Sequence, residues 1–161
     1  MLLMKPPDKI AGQKVDTDFK KWMRFGVLLD SPLLYTEKVI IGCKNMFKRP
    51  PNDPGAAFAA LLDFYNCGES TEGPAPPERL LDWERDSRLI WGDFRLHYGM
   101  DIDKEKMHWW QFMALFDSLP QESAIKRRMQ IRGTKLSDVP KEKKSEFALL
   151  KKAVSLEQEV W

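Results

Sequence analysis

The chain has 161 residues, 43% of them apolar and 31% charged, with a formal charge of +2 from 26 basic and 24 acidic side chains. That length suits one domain with a sizeable core, and the composition excludes a wholly disordered chain. The near balance of charge excludes a global field that would drive the chain to nucleic acid or to a membrane surface. Two cysteines, Cys43 and Cys67, do not make a disulfide framework and point to a reducing compartment. The opening MLLMKPPDK is too short an apolar run for a signal segment, and no stretch is apolar enough for a membrane span, so the expectation is a cytosolic protein.

In chain order, VDTDFKKWMRFGVLLDSP predicts a first helix capped at Asp16 or Thr17, with Phe19, Trp22, Met23 and Leu29 inward and Pro32 closing it. Thr36 is the expected cap of a second helix with Val39, Ile40, Cys43, Met46 and Phe47 inward. RPPNDPGAAFAALLDFYNCG gives Asp53 as N-cap, Pro54 at the first helical position and Gly68 past the end, with Phe58, Leu61, Leu62 and Tyr65 as the stripe. GESTEGPAPP, residues 68–77, cannot continue a helix and reads as a long surface loop.

The longest helix is expected in PERLLDWERDSRLIWGDFRLHYG, with Leu80, Trp83, Ser87, Ile90, Trp91, Phe94 and Tyr98 at helical spacing. Gly92 in its interior suggests close approach of a neighbour. The following segment, DIDKEKMHWWQFMALFDSLP, predicts a helix that Asp103 can cap and Pro120 ends. A basic helix in QESAIKRRMQIRG stops at Gly133, and Pro140 opens a last helix with Phe147, Leu149, Leu150 and Val154 as a sparse apolar face. The expected fold is all-α, a single-domain bundle of six to seven helices. It has a flexible N-terminal tail over 1–15, a helical domain over 16–156 and a C-terminal tail over 157–161.

Chemistry is sparse in this pattern. Cys43, Cys67, His97 and His108 sit on separate segments without zinc-ligand spacing, so no metal or other cofactor is expected. Asp101 and Asp103 suit helix capping, and Asp86 suits a semi-buried pair with an arginine better than catalysis. There is no phosphate loop, no nucleophile elbow and no His-Glu-x-x-His, so a hydrolase built on Asp82, Asp86 or His108 has little to support it, and the expectation is a protein that is not an enzyme.

Two features remain. The run IKRRMQIRG could track phosphates, and ten basic against six acidic residues from Gln121 onward favour that end, but no aromatic lies in the run to stack on bases. Six Trp and nine Phe, several flanking an apolar stripe, instead suit anchors for a partner helix. Trp109 shares a helical face with Phe112, Met113 and Phe116 and belongs to the core, while Trp110 lies about 100° away and is left as a contact. A protein-interaction module therefore outranks an enzyme.

MHWWQFMALFDSLP, with the YGMDID turn before it, resembles the Leu-His-Trp-Trp-x-Phe helix and its Tyr-Gly-Ile-Asp turn in a tailed-phage family called gene product fifteen. IRGTKLSDVPKEKKSEFALLKKAVSL is similar to that family's C-terminal part, and VDTDFKKWMRF to its opening. Departures are Met107 in place of the usual leucine and the poorly matched RPPNDPG and GESTEGPAPP. The resemblance implies a non-enzymatic tail assembly chaperone of long-tailed phages, acting in the host cytoplasm and absent from the finished virion. Its implied partners are the tape-measure protein and the tail-tube protein, with a homo-oligomer left open, no membrane, and nucleic acid only under the alternative of a nucleic-acid-binding or other morphogenesis accessory. The candidate partner contacts are Trp110, Trp91, His108, Arg128 and Arg132.

Overall fold

A computed structural model describes residues 5–69 and 78–156. The expected loop residues 70–77 and the tail 157–161 lie outside the described residues, as do 1–4. Described elements are a two-stranded antiparallel ribbon, β1 (Lys9–Ile10) and β2 (Gln13–Lys14), and the helices α1 (Phe19–Asp30), α2 (Tyr35–Met46), α3 (Pro54–Tyr65), α4 (Ser87–Tyr98), α5 (Trp109–Asp117), α6 (Ala124–Gly133) and α7 (Lys144–Val154). The fold is mostly α, as the periodicity predicts. Its elements group into two compact units, one with β1, β2, α1, α2, α3 and α5, the other with α4, α6 and α7.

The ribbon lies within the segment 1–15 that the sequence assigns to an N-terminal tail. Ala11 and Gly12 both take positive φ, at 46° and 75°, the backbone that turns a two-residue hairpin with the natural strand twist. Gln13 then fixes the ribbon to the chain beyond α2, donating to Arg49 O at 3.0 Å and accepting from Arg49 N at 3.3 Å. Ile10 and Val15 are buried.

In the first unit, Asp18 caps α1 by accepting from Lys20 N, one or two residues later than expected, and Ser31 closes it ahead of Pro32. Leu34, not Thr36, is the cap residue of α2, where the Glu37 carboxylate accepts from Leu34 N at 2.8 Å. Asp53 accepts from Ala56 N and Pro54 opens α3, as read from the sequence. The core is aromatic: Phe19 stacks on Phe112 at 4.7 Å, Trp22 lies on Phe64 at 4.2 Å, and Tyr65 stacks on Trp109 at 5.2 Å. Phe25 and Phe64 are core residues that the sequence stripes omit, whereas Ile40, expected inward, is exposed. A Cβ on Gly42 would stand 2.7 Å from Phe58 Cε2, so this glycine is where α2 meets the core. Nothing lies within 4 Å of the corresponding position at Gly92, and the expected close approach there is not found.

In the second unit the expected long helix is shortened to α4. Residues 83–86 form turns, because the Asp82 carboxylate accepts from Glu84 N and Arg85 N while Asp86 accepts from Asp82 N. Side-chain acceptors of this kind offer backbone N–H groups an alternative to the helical ladder. Asp93 on α4 then caps α6, its two oxygens accepting from Ala124 N at 3.0 Å and Ile125 N at 2.8 Å. The last helix, α7, has no buried residue, and Leu149 and Leu150 of its expected apolar face are exposed.

Candidate partner-binding site

The five candidate contacts divide between the units: His108 and Trp110 belong to the first, Trp91, Arg128 and Arg132 to the second. His108, not Asp103, is the N-cap of α5, with Nδ1 accepting from Trp110 N at 3.0 Å. That leaves the ring proton on Nε2, which donates to Pro7 O at 2.9 Å. Gln111 returns the bond by accepting from His108 N. The start of α5 is tied to the start of α1 as well, through Phe19 N to Met107 O and Trp109 N to Thr17 O. His108 is thus a capping residue with both ring nitrogens engaged.

The two tryptophans serve the end of α3. Trp109 Nε1 donates to Tyr65 O at 2.8 Å and Trp110 Nε1 donates to Phe64 O at 2.9 Å. Carbonyls in the last helical turn lack intrahelical donors, and the adjacent indoles supply two in succession, the one to Phe64 O in addition to the bond from Cys67 N. Trp109 is fully buried, as its helical position predicts. Trp110 is half-buried, packs on Phe64 at 5.6 Å, and would lie 3.4 Å from a Cβ on Gly68, which turns at φ 71°. Its polar edge and much of its face are occupied by the fold, which alters its reading as a flanking contact.

Arg132 is corrected outright. Only 4% exposed, it grips the fully buried Asp86 with two bonds of 2.5 and 3.0 Å and also donates to Leu80 O and Val154 O. Such a residue joins the segment before α4 to the end of α7 and is closed to a partner. Arg128 adds a 3.1 Å bond to the same carboxylate from a partly exposed position. Burial pushes the Asp86 carboxyl up, but the bonds from Arg132, from Asp82 N and from Arg128 outweigh it and hold the group below the ordinary carboxylate range. The expected pairing of a buried Asp86 with arginine is found.

Other candidates for chemistry are spoken for. Burial raises the Cys43 thiol, and burial followed by Asp117 and Glu69 pushes Cys67 up to about 11, so both stay protonated at neutral pH and are poor nucleophiles. Among the described residues no group of His, Cys, Asp or Glu could hold a metal ion, and no helix is long and apolar enough to cross a membrane. A cleft of about 500 Å³ beside α7 has cationic walls, but Arg79 is paired with Asp82, Lys151 with Glu78, and Arg132 with Asp86. It is a seam of internal ion pairs.

Trp91 alone of the five combines an accessible ring with an open surface. It is 40% exposed on α4, its Nε1 donating to Asp101 Oδ1 at 3.2 Å. Arg88 and Arg95, exposed at one turn before and one turn after it, were not singled out by sequence, although their i, i+3, i+7 spacing with Trp91 is visible in SRLIWGDFRLHY.

These positions acquire a context from comparison with known proteins. The profile of the family described as Bacteriophage Gp15 protein matches residues 9–156. The chain belongs to this bacteriophage Gp15 family. The match runs from the ribbon through the HWW helix to the end of α7, so both compact units of this Gp15-family protein fall within it. No curated protein and no solved structure matches the chain.

Proposed function

We propose that this Gp15-family protein is a non-enzymatic tail assembly chaperone that holds the tape-measure protein soluble in the host cytoplasm, helps recruit tail-tube protein, and leaves before the virion is complete. The observation that carries the reading is the exposure of large apolar side chains on helices of both units: Leu34 at 70% and Ile40 at 65% on or beside α2, Leu96 at 76% on α4 and Leu149 at 72% on α7. Large exposed aliphatic groups on otherwise charged helices suit reversible cover for the apolar faces of a long helical client. Membership of a bacteriophage family supports a client from phage assembly, and the tape-measure protein is the client that the family resemblance implies.

The nucleic-acid alternative loses its best residues, because Arg128 and Arg132 are committed to Asp86 inside the second unit. Within that run only Lys126 and Arg127 stay clear of the Asp86 cluster, so a phosphate footprint would rest on the lysines of the C-terminal end. The test is co-expression with a tape-measure protein of the same phage. A chaperone makes that protein soluble and elutes with it; unchanged solubility together with separate elution rejects the proposal.

A further inference from the structure

The outer face of α4 carries Arg88, Trp91 and Arg95 at i, i+3 and i+7, all exposed. Arg88 has no hydrogen-bond or ion-pair partner among the described residues, and the side chain of Arg95 reaches only Gly99 O at a long 3.4 Å. Trp91 lies between them with its Nε1 bonded to Asp101, and 40% of the residue remains exposed. Elsewhere in the same unit three arginines are paired internally, Arg132 and Arg128 with Asp86 and Arg79 with Asp82. On the α4 face, two guanidinium groups with no carboxylate partner among the described residues flank an accessible indole.

We propose that this face docks an acidic amphipathic helix of a protein partner, with an apolar side chain of that helix on Trp91 and its carboxylates on Arg88 and Arg95. The inference rests on the chaperone reading and gives that reading a client chemistry. Charge complementarity selects the occupant: two free cations about 10 Å apart along α4, at 1.5 Å of rise per residue, match carboxylates spaced two turns apart on a helix. Tryptophan and arginine together form the composition of protein-interface anchors. A nucleic-acid strand fits less well, because the Asp101 carboxylate sits at the polar edge of the same ring, and two or three cations give little counterion release.

The probe is a soluble synthetic helix with Glu and Leu at i, i+3, i+4 and i+7, labelled for fluorescence anisotropy and titrated with the full-length protein. The expected result is saturable binding weakened by at least about tenfold in R88E/R95E, roughly one decade in Kd, and by several-fold in W91A. W91F, which keeps an aromatic face, should retain most of the affinity. None of these side chains is buried, and circular dichroism of each variant confirms that its fold is kept. Equal binding by wild type and R88E/R95E overturns the proposal. So does stronger binding of a single-stranded oligonucleotide than of the peptide, or binding of a Lys-for-Glu version of the peptide. Co-expression of the same variants with the tape-measure protein separates the two ideas. A client solubilised by wild type and equally by R88E/R95E removes the α4 face and leaves the chaperone reading standing, whereas peptide binding without client solubilisation does the reverse.

Discussion

In the unit of α1, α2, α3 and α5 the largest buried side chains are rings, Trp22, Trp109, Phe19, Phe58 and Phe112, whereas in the unit of α4, α6 and α7 the deepest polar group is the Asp86 carboxylate in the grip of Arg132. Both arrangements answer the same need, to fix helices that are only nine to twelve residues long. Stacked rings remove apolar surface from water and tolerate changes of pH. A buried ion pair fixes geometry through directed bonds, and it fails when either partner is removed or neutralised. The contrast also explains which polar groups are left for a partner. The aromatic unit spends its indole N–H groups on α3 and on Asp16 O, and the ionic unit commits Arg79, Arg128 and Arg132 to carboxylates.

The sharpest test of this contrast is to disable each core in turn. Arg132→Met removes the two-bond partner of the buried Asp86, leaving only Arg128 to pair with it, and should cost about 3 kcal/mol, and Trp109→Ala should cost ~3 to 5 kcal/mol by opening a cavity. Urea denaturation measures the loss, and amide exchange locates it: in α6 and α7 for the first, in α1, α3 and α5 for the second. Exchange rising equally everywhere in both variants would erase the distinction between the units. Gly42→Ala comes next, at about 1 to 3 kcal/mol, because the added methyl meets the Phe58 ring. Its denaturation midpoint should fall, and a midpoint at or above wild type would show that the ring yields freely.

Acid separates the units without mutation. The folded-state pKa of Asp86 is below the unfolded value, so its stabilisation is fully present above about pH 4, near the unfolded carboxyl pKa, and is lost as pH falls through the folded value. Amides of α6 and α7 should therefore lose protection first on acidification, and Asp86→Asn should remove that pH dependence while lowering stability at neutral pH. Simultaneous loss in both units would contradict the account. The smallest effect is Trp110→Phe, which keeps the ring and removes one bond to Phe64 O, for about 1 kcal/mol.

Much of the helical fold was legible from punctuation. Asp53 with Pro54, Pro32 beyond α1 and Gly99 beyond α4 stand where backbone chemistry requires them. Asp82 and Asp86 were harder, because side-chain bonds to nearby N–H groups compete with a helix in a way that hydrophobic spacing does not register. Asp103 made a plausible cap for α5, but tertiary bonds between Thr17–Phe19 and Met107–Trp109 start that helix at His108 instead. The site was half legible. Composition marked Trp91 and Trp110 alike; only three-dimensional contacts show that Trp110 donates into α3 while Trp91 stands among free arginines. Arg132 looked like part of a solvent-facing basic run for the same reason, since nothing local in IKRRMQIRG reveals that Asp86, 46 residues away, lies opposite it.

Urea denaturation of Trp110→Ala beside Trp91→Ala measures whether the fold depends on Trp110 and spares Trp91, as the proposed partner contact at Trp91 requires. The account predicts that Trp110→Ala loses the bond to Phe64 and the ring packing and unfolds at clearly lower urea, while Trp91→Ala stays within about 1 kcal/mol of wild type, as exposed positions do. A protein in which Trp91→Ala is the more destabilised of the two would contradict it.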